Sequence, residues 1–524
     1  MEKQKFIRSA VILTVSGILC KVLGAIYRIP LSNTIGTEGM GYYQMAYPVY
    51  SVLIVLSSAG IPVALSRMVS DALAKGEVTA ANEIFRVSRK ALAVLGIGSS
   101  LFLFAASGVI ASAMGLKGTA FSLKMLAPSL IFVAVVSVYR GALQGRQLMG
   151  ATAVSQVCEQ LVRLTLGLYL AAAWMPSGAE YGAGGALLGV TFSEIAGLAV
   201  VLGYYAAKKK EFGDIRIRSE KNRRREILRD LFRIAFPITL GACTMSVVGA
   251  IDSAIVMRVL TGNGYSTAEA TGLFGLLTGF VQPIVNMPAV LSGALAMSIV
   301  PTVSAAFAVK NREKISRQAN FAYKLSCVIG MPCAAGVFLL AKELLAAIYP
   351  NLTAAELEQA SAMMRIMAPG IYLMSISQVS SGVLQGIGKT VYPVLAMLLG
   401  TMVKLFLGIW LIRVPSVNIL GAAWGTLLYF AVNAAVDILF AMRFADLRIG
   451  VKTVILPTAV CTAGMGAAVW AMREFTASGI WITVLAGAVG YGILLIVTKT
   501  VTAEELGFAA CRDRKILKRS RREV

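Results

Sequence analysis

Apolar runs of about 20 residues recur along the whole chain, and each is long enough to cross a bilayer. Fourteen such spans can be drawn, at 9–32, 42–65, 88–112, 120–140, 150–174, 184–206, 231–257, 273–300, 320–341, 362–386, 390–412, 418–441, 452–472 and 479–498. Only 14% of the 524 residues are charged, against about 25% in ordinary soluble domains. The chain reads as an all-α polytopic membrane protein of the cytoplasmic membrane. No small-residue cleavage site follows the first run, so it reads as a retained helix and not a signal peptide.

The net charge of +23 would suit nucleic acid, but its distribution does not. With both termini and the even-to-odd loops on one side, that side receives 37 of the 49 Lys and Arg and the other side five. Such asymmetry is the positive-inside signal. It predicts cytoplasmic termini and a basic face toward anionic membrane lipids, with no nucleic-acid partner. The seven cysteines are scattered without a CxxC pair, so neither a disulfide frame nor a metal site is expected. There is no histidine, which removes the commonest metal ligand and the usual neutral-pH switch.

The chain repeats. "LAPSLIFVAVVSVYRGALQG" (126–145) matches "MAPGIYLMSISQVSSGVLQG" (367–386) at an offset of 241, and the same offset pairs "VRLTLGLYL" (162–170) with "VKLFLGIWL" (403–411). "GALLG" (185–189) pairs with "GAAWG" (421–425) at 236, and Pro62 with Pro301 at 239. Six spans per repeat make the halves parallel in topology, related by a pseudo-two-fold axis along the membrane normal. The expected organisation is a six-helix bundle over 1–207, a basic cytoplasmic linker over 208–230, and a second six-helix bundle over 231–446. Two additional helices over 447–500 and a basic cytoplasmic tail over 501–524 follow. Duplication of this kind favours an alternating-access transporter with a central cavity between two bundles.

Ionisable residues inside spans are functional candidates, because inserting each costs at least about 2.5–3.5 kcal/mol. Lys21 and Arg28 in "CKVLGAIYRIPLSNTIG" stand seven residues apart, almost two turns, on one face of span 1. Two cations on one inward face would suit an anionic substrate, phosphate above all. Snorkelling of Arg28 to the interface, with Lys21 paired elsewhere, is the alternative. Glu159 and Arg163, at i and i+4 on span 5, can satisfy each other or meet substrate. Lys404, the repeat counterpart of Arg163, has Gly400 in place of the acid, which makes it a cavity candidate unless Asp437 neutralises it. Asp252 in span 7 and Glu194 in span 6 are candidates for a coupling cation or for pairing with arginine. Arg67 and Arg140 fall at cytoplasmic ends, where snorkelling is expected, although Arg67 could line the inner mouth. "QPIVNMP" (282–288) makes Pro283 and Pro288 hinge candidates, and "GLLTG" (275–279) is a small-xxx-small packing motif. No G-x-x-x-x-G-K-[ST] loop occurs, so no ATPase of its own, and no enzyme activity, is expected.

The opening stretch, most specifically "KVLGAIYRIPLSNTIGTEGMGYY" and "GIPVALSRMVSD", resembles the polysaccharide-type flippases of the multidrug/oligosaccharidyl-lipid/polysaccharide exporter superfamily, in the branch of sporulation proteins and lipid II flippases. The resemblance covers essentially the whole chain. It implies export of undecaprenyl-pyrophosphate-linked sugars such as peptidoglycan precursors, through a cationic cavity with essential arginines on span 1. Lys21 and Arg28 occupy the matching stretch. Further arginines on spans 2 and 8 are implied but have no match here. The extra span pair would contribute a groove for the lipid tail. The partners implied are a lipid-linked oligosaccharide and envelope-synthesis enzymes. Membrane potential, sodium or protons would reset the cycle, with no bound cofactor. A multidrug/cation antiporter of the same superfamily and a non-transporting scaffold are the competing expectations. The span 1 cations argue against the antiporter, while the insertion cost of the buried charges argues against the scaffold.

Overall fold

In a computed structural model the described residues are 2–208, 221–414, 416–445, 450, 455–475 and 479–500, and they are almost wholly helical. Most of the basic linker, the tail over 501–524 with its Cys511, and the segment before the thirteenth expected span lie outside them. The helices are α1 (Glu2–Ile54), α2 (Ile61–Ala74), α3 (Val78–Ala113), α4 (Thr119–Leu126), α5 (Ser129–Gly145), α6 (Met149–Val162), α7 (Leu168–Trp174) and α8 (Ala179–Ala207). After the linker come α9 (Lys221–Gly262), α10 (Thr267–Gly275), α11 (Gln282–Asn286), α12 (Ala289–Ala308), α13 (Arg312–Leu339) and α14 (Ala341–Ile348). The series ends with α15 (Ala354–Gly386), α16 (Val391–Ile412), α17 (Leu420–Ala445), α18 (Leu456–Phe475) and α19 (Ile480–Val497).

Among the described residues ten stretches are long and apolar enough to cross a membrane. The first, Val15–Ala74, holds two of the expected spans, and the eighth expected span is divided between Thr267–Asn286 and Ala289–Ala308. Large apolar side chains remain on the surface, with Leu101, Val109, Phe406 and Ile496 all 65–75% exposed. Water would drive such a surface to bury itself, whereas acyl chains solvate it.

Where a loop is expected between the first two spans, the chain instead turns at one residue. Gly36 has φ 67° and ψ −172° inside an otherwise helical run. That conformation is closed to residues with a Cβ, so glycine alone permits the break. Just before it, Thr34 Oγ1 donates to the Pro30 carbonyl at 2.8 Å and Asn33 Nδ2 to the Ile29 carbonyl at 3.2 Å, which tie down the last turn. Short π-helical turns interrupt the helices at Val55–Ala59, Arg163–Gly167 and Leu276–Val281.

The helices form two compact units, Met1–Pro283 and Ile284–Val524. In the first, α2, α3 and α5 close on a core built around Leu65, Phe85, Leu92, Val138 and Leu143. Phe85, Tyr139 and Tyr205 pack together at 5.1–5.6 Å, with Tyr139 edge to face against both of the others. The "GLLTG" motif is a contact surface here. Gly275 abuts Thr37 and Gly41, and Gly279 abuts Met40. Ser32 Oγ donates to the Gly279 carbonyl at 3.1 Å and Gln44 Nε2 to the Thr278 carbonyl at 2.7 Å. Compactness thus groups α9 and α10, which follow the linker, with the helices that precede it.

In the second unit α15 is central, packing against α12, α13 and α17 around Val303, Tyr323, Val379 and Val383. α18 and α19 close a smaller core with Leu340 of the linking turn. They are fastened by Tyr491 Oη donating to the Val328 carbonyl at 3.0 Å and by Arg473 paired with Glu343 at 2.7 Å.

Candidate functional site

At about 100° per residue, α1 presents three faces around Cys20. Ser16 and Tyr27 are buried in the first unit. Val15, Leu19, Val22 and Ile26 form an exposed apolar stripe. Lys21 and Arg28 share the remaining face, about 20° apart. Lys21 is exposed and Arg28 half-buried. Among the described residues neither has an ion-pair partner. Pairing of Lys21 with an acid elsewhere is therefore not what the structure shows.

Four of the other intramembrane charges of the first unit are spent on one another, and not as the spacing predicts. Glu159 and Arg163 do not pair. Glu159 reaches α5, where Arg140 Nη2 lies 2.5 Å from its Oε1. Arg163 reaches α8, with Nη2 3.5 Å from Glu194 Oε1 and 3.4 Å from Ser193 Oγ. The helical turn between them is intact, since the Arg163 N–H donates to the Glu159 carbonyl; each side chain instead meets a partner on a neighbouring helix. Gly197 on α8 makes the Glu159 position possible, because a Cβ there would overlap the Glu159 carboxylate.

Arg140 does not snorkel. Its side chain is 15% exposed, and Nη2 and Nε donate to Ser155 Oγ at 2.9 and 3.1 Å. Ser155 and Arg140 are site residues that the spacing argument missed. The available signal was two acids, Glu159 and Glu194, in spans that supply only one local cation. Ser129 Oγ donates to Tyr50 Oη at 2.6 Å. Two arginines and two glutamates leave this network with no net charge.

Arg67 lies outside that network. It is 70% exposed, stands 3.9 Å from Asp71, and lines a pocket of about 500 Å³ with Asp71, Lys75, Arg223 and Arg233. Asp252 is half-buried on α9. Pro283 ends the first unit, and the helix stops at Met287–Pro288 before α12 begins.

In the second unit Lys404 is half-buried on α16, and Asp437 does not neutralise it. Asp437 is fully buried on α17. Its Oδ2 accepts from Ser377 at 2.7 Å and from Ser381 at 3.1 Å, both on α15. These serines, and Asn433 whose Nδ2 donates to Ser377 Oγ at 3.0 Å, carry no charge, so a search for ionisable residues passes over them. Among the described residues no cluster of three or more His, Cys, Asp or Glu lies together.

Residues 6–307 match the family described as polysaccharide biosynthesis protein, and residues 237–410 match the MatE family. Stage V sporulation protein B of Bacillus subtilis (strain 168) is 28% identical over 97% of this chain and 98% of its own. Lipid II flippase MurJ of the same organism is 24% identical over 94% of each chain. Among solved structures, lipid II flippase MurJ in an inward closed conformation superposes with a TM-score of 0.71 at 14% identity, covering 93% of this chain and 99% of that one. An inward-facing multidrug resistance MATE family transporter of the MOP superfamily gives 0.67 at 16%, covering 84% and 98%. At such identities these structural likenesses concern the fold. The family match spans more than half the chain and agrees with that fold: this protein belongs to the polysaccharide biosynthesis protein family and is a multi-pass membrane protein with the fold of MOP-superfamily transporters.

Proposed function

We propose that this protein is a flippase that moves an undecaprenyl-pyrophosphate-linked sugar, lipid II or a similar envelope precursor, across the cytoplasmic membrane by alternating access. The observation that carries the reading is the Lys21–Arg28 face of α1. These cations are left over when Arg140 and Arg163 have been matched to Glu159 and Glu194. A diphosphate is the ligand such a face fits, since arginine's fork and a lysine point charge together reach several phosphate oxygens. The exposed apolar stripe of Val15, Leu19, Val22 and Ile26 on the same helix suits a ligand whose tail stays in lipid while its head enters a polar cavity. Relatives named as a sporulation protein and a lipid II flippase support this class of substrate.

In this reading Lys21 and Arg28 bind diphosphate, Arg163 holds the network together, and Lys404 and Arg67 are secondary contacts. Fourteen spans in a 6 + 6 + 2 plan with cytoplasmic termini carry the transport. The break at Pro283–Pro288 serves as a hinge, and no nucleotide is hydrolysed. Self-neutralised acids in the first unit disfavour a cationic drug as cargo.

Complementation tests the substrate. In a strain depleted of its lipid II flippase, expression of this chain should restore growth, and the Arg28→Ala variant, present in the membrane at equal level, should not. Rescue by the double Lys21→Ala, Arg28→Ala variant would sink the diphosphate assignment.

A further inference from the structure

Between α2, the start of α3 and the start of α9 lies the pocket of about 500 Å³ that Arg67 lines, within the size range of small-ligand sites, about 300–1,000 Å³. α2 lends it Arg67, Asp71 and Lys75 at i, i+4 and i+8, one ridge of the helix. α9 lends it Arg223, Asp230 and Arg233. Each of these helices thus sets an acid between two cations. The turn that joins α2 to α3 adds Glu77; there Gly76 has φ 77° and the Glu77 N–H donates to the Ala72 carbonyl at 2.9 Å. Arg223 Nε lies 2.8 Å from Oε2 of Glu83, whose side chain is 7% exposed, so this arginine fastens α9 to α3. Arg67 stands 3.9 Å from Asp71, at the limit of pairing. Among the described residues Lys75, Glu77 and Arg233 have no ion-pair partner.

With Arg223 spent on Glu83, three cations of the lining (Arg67, Lys75, Arg233) face three acids (Asp71, Glu77, Asp230). A ligand of one sign would meet as many repelling as attracting groups, whereas a ligand that carries both signs would not. Beside the pocket, Phe232, Phe236 and Leu240 are exposed on α9 at i, i+4 and i+8, a strip that acyl chains solvate. We propose that the pocket holds a zwitterionic phospholipid head with a primary ammonium, of the phosphatidylethanolamine class, from the leaflet on the side that the distribution of Lys and Arg predicts to be cytoplasmic. Lys75 and Arg233 meet the phosphodiester, Asp71 and Glu77 accept from the ammonium, and the chains lie along the Phe232–Leu240 strip. A trimethylammonium head has no N–H to give the carboxylates, and a phosphatidylglycerol head brings them no positive charge. The proposal stands apart from the identity of the transported substrate.

Full-length protein stripped of lipid in detergent is given dioleoyl-phosphatidylethanolamine, dioleoyl-phosphatidylcholine or dioleoyl-phosphatidylglycerol in mixed micelles. Thermal unfolding and retained lipid per chain are both read. Phosphatidylethanolamine should raise the unfolding temperature saturably and bind about tenfold more tightly than the other two, the scale of one charge-assisted contact. Lys75→Gln with Arg233→Gln should weaken its binding by about tenfold or more. Asp71→Asn with Glu77→Gln should turn the preference toward phosphatidylglycerol, a reversal that loss of structure alone would not produce. Glu358→Gln, on the exposed surface, should leave the preference unchanged. Equal binding of the three lipids, a preference for phosphatidylglycerol in the unaltered protein, or a phosphatidylethanolamine preference that survives both double variants overturns the site. Chain-free glycerophosphoethanolamine competing as strongly as the lipid would assign the pocket to a soluble zwitterion and overturn the lipid.

Discussion

Sequence repetition makes Arg140, Glu159 and Arg163 the counterparts of Ser381, Gly400 and Lys404 at the offset of 241, and the two settings solve the problem of buried charge differently. The first unit closes its charges across helices, Arg140 on Glu159 and Arg163 on Glu194. The second surrounds a single carboxylate, Asp437, with neutral hydroxyls and an amide. Gly197, which admits Glu159, corresponds at the offset of 236 to Asn433, which supports Ser377. At these sequence-matched positions one set of charges is electrically self-contained and the other is not. The same divergence shows in the "AP" motif. Pro128 caps a new helix after a break, whereas Pro369 lies inside the continuous α15.

The contrast can be broken most forcefully at Arg140. Arg140→Ala strands the buried Glu159 carboxylate, and about 3–5 kcal/mol of stability should disappear. Ser381→Ala, at the equivalent position, removes one neutral donor and should cost about 1 kcal/mol. Equal losses in thermal unfolding of the two purified variants would erase the distinction. A double-mutant cycle on Arg163 and Glu194 should give a coupling between about 0.5 and 3 kcal/mol, below that for Arg140 and Glu159 because the contact is longer. Gly36→Ala should cost about 1–3 kcal/mol through backbone strain alone, and unchanged stability would mean that α1 does not turn there.

The smallest effect is expected at a pair away from the membrane. Lys342 Nζ lies 2.9 Å from Glu358, and this hydrogen bond holds the Glu358 carboxyl below the usual carboxylate range. A depressed carboxyl stabilises the fold above its unfolded value near 4.3, and that contribution is lost as the pH falls through the folded value. Lys342→Ala should return the Glu358 titration upward to the ordinary range, as an NMR titration would record. Exposure keeps the effect on stability slight.

Much of this was legible in the residues. Long apolar runs and the one-sided distribution of Lys and Arg suffice for a multi-pass helical protein, and the opening motifs suffice for the family. The ion pairs were not legible, because i, i+4 spacing speaks only of neighbours on one helix, whereas Glu159 and Arg163 each find a partner on another. Arg140 was misplaced because its position at the end of an apolar run says nothing about Glu159 on the next helix. Ser377, Ser381 and Asn433 were invisible because neutral side chains in a span acquire meaning only once Asp437 is seen beside them.

The diphosphate face of α1 is tested most directly by reconstitution. The purified protein in liposomes is given a fluorescent short-chain polyprenyl-diphosphate sugar, and its movement between leaflets is followed by quenching from outside. The unaltered chain should equilibrate the lipid, while Lys21→Ala and Arg28→Ala should each slow it by about tenfold or more, the loss expected of a charge-assisted contact. Flipping at the full rate by the folded double variant would contradict a cationic diphosphate site on α1.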